Sequence, residues 1–135
     1  MKLNPSFSFV FNGQCEAAFT LYARALNGTF AFKLTWGDSP KAADVAPEWR
    51  EKLYHARLNV GDVVITGGDL APGTYETPRG FSIVLDMNDA QAAARVFAAL
   101  SEGGRIDMPL QETFWAKRFG VFVDRFGIPW TINCE

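Results

Sequence analysis

Residues 81–100, FSIVLDMNDAQAAARVFAAL, read as a strand, a short turn and a helix, and residues 7–26, FSFVFNGQCEAAFTLYARAL, read the same way. In the later stretch Phe81, Ile83 and Leu85 alternate onto one face of a strand. Asn88 is expected to cap the helix that follows, with Gln91 three residues on giving something close to a capping box. In the earlier stretch Phe7, Phe9 and Phe11 share one face and Ser6, Ser8 and Val10 the other. Cys15, Ala18, Phe19, Tyr22 and Leu26 then recur at helical spacing, and Gly28 is expected to close the helix. A shift of 76 residues lays Asn12 on Asn88, Ala18 on Ala94 and Gly28 on Gly104. A chain that restarts its own pattern is built from two copies of one unit.

Working outward, strands are expected at 29–36, 52–60 and 63–67 in the first half, and at 105–111, 114–123 and 128–134 in the second. The last two are joined by the turn DRFG, in which Gly127 can take a positive φ. Residues 70–79, with Pro72-Gly73 and Pro78, have the composition of a connection. The expected class is therefore α+β. One domain, 1–135, is made of two βαβββ modules at about 1–69 and 80–135, joined by 70–79. Each half has a curved four-stranded sheet with one helix, so the economical arrangement sets the two sheets around a shared cleft with the helices outside. A cleft completed by a second copy makes a homodimer the expected assembly.

The bulk properties narrow the function. The chain has 135 residues, 48% hydrophobic, 14% aromatic and 21% charged, with a formal net charge of -2. Its Lys and Arg are scattered, so the footprint of a nucleic-acid binder is missing. No long apolar run reads as a membrane span, and MKLNPSFSF lacks the pattern of a signal peptide, so a cytoplasmic protein is expected. Cys15 and Cys134 form no CxxC and read as small buried residues rather than a metal knuckle or redox pair.

The doubled pattern resembles the vicinal oxygen chelate group, which includes glyoxalase I, extradiol dioxygenases and bleomycin-resistance proteins. The blocks FNGQCEAAFTLYARALNG, YHARLNVGD and MPLQETFWAKRFGVFVDRFGIPWTINC are similar to its PhnB-like branch. Proteins of that branch often carry a demethylubiquinone methyltransferase label, but no GxGxxG-like loop here follows a strand and opens a helix. The resemblance implies a metal held from the first and last strands of each half. Those positions fall near Ser6 and Thr66, and near Phe81 and Thr131, none of which is His, Glu or Asp. A divalent transition metal needs imidazole, carboxylate or thiolate donors, and the chain has one histidine. Neither a metal site nor a cofactor is expected.

The candidate site residues are then His55 and Glu112 for catalysis, and Trp36, His55, Phe81, Trp115 and Trp130 for binding. His55 is the lone imidazole, able to act as a base or donate to a ligand. Glu112 stands beside Phe114 and Trp115, where strand alternation would put Glu112 and Phe114 on one face. Tryptophan suits the wall of a pocket for planar molecules and suits a core equally well. The insertion 37–51 reads as a lid, an interface arm or a disordered excursion. Asp69, Asp86 and Glu112 could ligate a cation in principle, though a solvated surface is the commoner fate of acids.

The leading expectation is a small-molecule binding protein, not an enzyme, taking an apolar or aromatic compound without metal. Two other readings stay open: a lyase, isomerase or dioxygenase with a displaced metal, and a structural or regulatory dimer with no ligand.

Overall fold

A computed structural model describes residues 1–135. The chain forms two compact units, Met1–Glu76 and Thr77–Glu135. The first runs β1 (Phe7–Phe11), α1 (Cys15–Leu26), β2 (Thr29–Thr35), β3 (Leu53–Val60) and β4 (Val63–Asp69), with two short 3-10 turns at Ala42–Asp44 and Pro47–Trp49. The second runs β5 (Ile83–Met87), α2 (Ala90–Ser101), β6 (Arg105–Gln111), β7 (Arg118–Val123) and β8 (Pro129–Cys134). The sheet orders are β1-β4-β3-β2 and β5-β8-β7-β6, each with its first and last strands parallel and the rest antiparallel. Both units are α+β modules of βαβββ type, as the doubled pattern predicts.

Alternation explains which face of each sheet is covered. Phe9 and Phe11 are buried, and α1 turns Ala18, Phe19 and Tyr22 onto them. Phe9 meets Tyr22 edge-on at 6.1 Å, and Phe11 meets Phe19 at 6.0 Å. A Cβ on Gly67 would lie 2.8 Å from the Phe19 ring, so the absence of a side chain there lets the helix seat against the sheet. In the second module Phe97 of α2 meets Phe122 at 5.0 Å, and Gly120 gives Phe97 the corresponding room. The face opposite the helix is therefore Ser8, Val10, Thr66, Gly68, His55 and Arg57 in the first module. In the second it is Val84, Thr131 and Val121.

Several sequence expectations change at element ends. Asp89, not Asn88, caps α2: its carboxylate accepts from the Gln91 and Ala92 amides at 2.9 and 3.2 Å. The turn before α2 is one residue shorter than that before α1, so the helices align at a shift of 75 (15 to 90) rather than 76. Buried Ala18 and Tyr22 thus match buried Ala93 and Phe97. At the end of α1 it is Asn27 that takes the left-handed conformation, φ 54°. Gly28 is required for another reason, because a Cβ there would lie 2.9 Å from Val60 Cγ2 and 3.0 Å from the Asn59 carbonyl.

The largest change is at residues 114–117, which are not strand. The Thr113 hydroxyl accepts the Ala116 amide, and the Thr113 amide donates to the Ala116 carbonyl. This local turn interrupts extension, and β7 starts only at Arg118. Trp115 is on a loop, so it does not share a pair of neighbouring strands with Trp130. The 37–51 insertion is ordered, closed by hydrogen bonds from the Trp36 amide to the Lys52 carbonyl and from the Gly37 amide to the Arg50 carbonyl, and Trp49 packs over Gly13.

Candidate functional site

Asp69, at the end of β4, is the residue around which the first module's site is assembled. It is buried, not solvated. One carboxylate oxygen accepts the Gly13 and Cys15 amides at 2.9 Å each, and the other accepts Leu53 at 3.1 Å. The start of α1 and the start of β3 are thereby tied to one side chain. Burial pushes this carboxyl above its ordinary value, against the lowering pull of those three amides and of Lys52. Burial, with Asp69 and Glu16 adding like charge, pushes the neighbouring Cys15 thiol far up, which makes it an inert packing group.

The Asp69 main chain also sets the wall of a hollow. Its carbonyl accepts the Trp36 indole N–H at 2.9 Å, and Trp36 meets the Tyr54 ring edge-on at 4.8 Å. A hollow of about 520 Å³ lies here, walled by Trp36, Tyr54 and His55 and bordered by Ser8, Val10 and Gly68. His55 is half-buried, its ring 5.9 Å from that of Phe32, and neither ring nitrogen makes a hydrogen bond. The site therefore offers aromatic surface, one free imidazole and the hydroxyls of Ser8, Tyr54 and Thr74, a set suited to holding a ring and fixing its orientation.

Of the sequence candidates, Trp36 and His55 are brought together in this hollow. Glu112 and Trp115 meet in a second one of about 490 Å³, on the exposed 112–117 loop. There Trp115 stacks edge-on against Phe114 at 4.6 Å and Phe119 at 5.1 Å. Phe81 precedes β5 and is half-exposed. Trp130 is fully buried and donates its indole N–H to Asp124 at 2.9 Å. Sequence reasoning missed Tyr54 and read Asp69 as a solvated acid or, at most, a cation ligand. Tyr54 carried no signal beyond its place beside His55, while the buried role of Asp69 was foreshadowed only by its position where an apolar strand ends.

The strand register can be set beside the metal positions that the resemblance implies, near Ser6, Thr66, Phe81 and Thr131. Thr66 stands opposite Ser8, not Ser6, and Thr131 opposite Val84, not Phe81. The Ser82 and Thr131 hydroxyls are 2.6 Å apart. Neutral hydroxyls and a valine are not the imidazole and carboxylate donors that hold a divalent transition metal, so the residues present do not fit one. Nowhere do three His, Cys, Asp or Glu side chains come together closely enough to hold such an ion.

Known proteins share this fold. Protein PA1353 from Pseudomonas aeruginosa superposes with a TM-score of 0.89 at 43% identity, over 99% of this chain and 98% of that one. The PhnB protein from Bacillus cereus shares the fold at a TM-score of 0.84 and 17% identity, over 98% and 100% of the two chains. Protein YjdN from Escherichia coli K12 is 34% identical over 98% of this chain and 95% of its own length. With residues 6–132 matching the Glyoxalase/Bleomycin resistance protein/Dioxygenase superfamily as well, the chain belongs to that superfamily.

Proposed function

We propose that this protein binds a small apolar or aromatic molecule, without a resident metal, in the hollow walled by Trp36, Tyr54 and His55. The observation that carries the reading is that this aromatic hollow is bordered by Ser8, which pairs with Thr66 across β1 and β4, so that hydroxyls rather than metal donors stand near the metal positions the resemblance implies. The chemistry left to such a site is recognition: ring surface from Trp36 and Tyr54, and a hydrogen bond from His55. Sequestering or sensing the compound is the role this set of groups fits. The protein acts as a homodimer in the cytoplasm on this reading. Exposed apolar residues on the sheet edge and face, Phe7, Val10 and Phe32, supply surface for assembly.

The test is a ligand screen read by tryptophan emission in buffer containing a chelator. A set of neutral aromatic and alkyl compounds is expected to contain members that change emission saturably, and Trp36→Phe is expected to remove most of the change. No saturable response from any of them, with or without added nickel, zinc or manganese, would overturn the proposal. A response that appears only with metal would restore an enzyme reading.

A further inference from the structure

Resting on that reading, we infer that the ligand is an anion, an apolar or aromatic body bearing a carboxylate or similar acid, and that Arg57 is the residue that reads its charge. Arg57 lies on β3, an interior strand, with Thr66 opposite it on β4 and Phe32 opposite it on β2. Thr66 in turn faces Ser8 on β1. The row Phe32, Arg57, Thr66, Ser8 thus crosses all four strands on the face that α1 does not cover. Arg57 is two residues from His55 on the same face, about 7 Å along the strand. Arg57 stands outside the hollow's lining, two strands from Ser8 and two residues from His55, both of which border it.

Three observations give the row its meaning. First, Arg57 is exposed and has no ion pair and no hydrogen bond, so all its donors are available. Second, the strand residues on this face include no carboxylate; the one acid lining the hollow, Asp69, is turned inward onto the Gly13, Cys15 and Leu53 amides. Arg57 is thus the one charged side chain of the row, and the Ser8 and Thr66 hydroxyls are neutral donors on the same row. Third, the fold does not require a cation there. The matching row of the second module, read from the same register, is Val84, Thr131, Val121 and Met108, which carries no charge. A guanidinium between Phe32 on one side and the Thr66 hydroxyl on the other, with the His55 ring along its own strand, is a donor set for a planar anion on an apolar body.

The experiment compares two ligands of one shape, 2-naphthoate and 2-naphthamide, titrated by calorimetry into the full-length protein and into Arg57→Gln. Naphthoate is expected to bind about tenfold or more tightly than the amide, with the preference shrinking as salt is raised. Arg57→Gln is expected to abolish the preference while leaving amide affinity and the melting temperature unchanged, since the side chain is exposed and unpaired. Equal binding of both ligands, unmoved by Arg57→Gln, would overturn the inference and leave the hollow as a neutral ring site. Failure of both ligands to bind would overturn the inference together with the reading on which it rests.

Discussion

At the scale of single residues the two modules are each pinned by one buried aspartate. Asp69 gathers three amides in the first, and Asp124 gathers the Phe126 and Ile128 amides and the Trp130 indole in the second. Asp69→Ala leaves three N–H groups without their acceptor, and a loss of about 3 kcal/mol or more is expected in urea unfolding. Asp69→Asn keeps one oxygen and is expected to cost less. The pH dependence separates charge from hydrogen bonding. Because the folded state holds the Asp69 proton above its ordinary value of 3.8, the contribution of this group is most favourable below that value. It is lost as pH rises through the folded value. The stability gap between wild type and Asp69→Asn is expected to move against the wild type over that rise; a gap moving the other way would show that the amides outweigh burial. The tryptophans divide in the same manner. Trp130→Ala is expected to cost about 3 to 5 kcal/mol as a core truncation, whereas Trp115→Ala, on a half-exposed loop, is expected to cost less than about 1 kcal/mol.

At the scale of elements, what was legible in the sequence was periodicity, and what was not was local competition for the backbone. The alternation of Phe7, Phe9 and Phe11 and the helical spacing of Cys15, Ala18 and Phe19 specify burial directly, and those elements form where expected. The 114–117 segment fails as strand because Thr113 offers its own hydroxyl to Ala116, a bond that leaves no mark on hydrophobic pattern. The α2 cap moved from Asn88 to Asp89 for a similar reason, since two adjacent residues can both cap and only the turn length decides. Asp89→Ala is expected to lower stability by about 1 kcal/mol, and Asn88→Ala by much less. Gly28→Ala is expected to destabilise through the contact with Val60 and the Asn59 carbonyl, although no left-handed backbone demands glycine there. The reverse ordering at 88 and 89, measured by thermal melting, would contradict the assigned cap.

At the scale of the whole molecule, the candidate site was partly readable. Trp36 and His55 lie 19 positions apart (36 to 55), and only the antiparallel pairing of β2 with β3 brings them to one hollow. Tyr54, beside His55, needed that pairing to be seen, and Asp69 the pairing of β3 with β4. The pairing of Ser8 with Thr66 and of Val84 with Thr131 follows from the register of β1 with β4 and of β5 with β8, which composition does not encode. Dialysis against nickel, zinc or manganese is expected to leave well under one equivalent per chain. Stoichiometric retention abolished by His55→Ala would contradict that. Light scattering is expected to give twice the chain mass at micromolar concentration. The most direct measurement is a nitrogen-15 NMR titration with 2-naphthamide in the presence of a chelator, which reports residue by residue where a ring binds without metal. Shifts concentrated at the Trp36 indole N–H and the Tyr54, His55 and Gly68 amides are the expected result. Shifts confined to residues 112–117, or none until metal is added, would contradict the account.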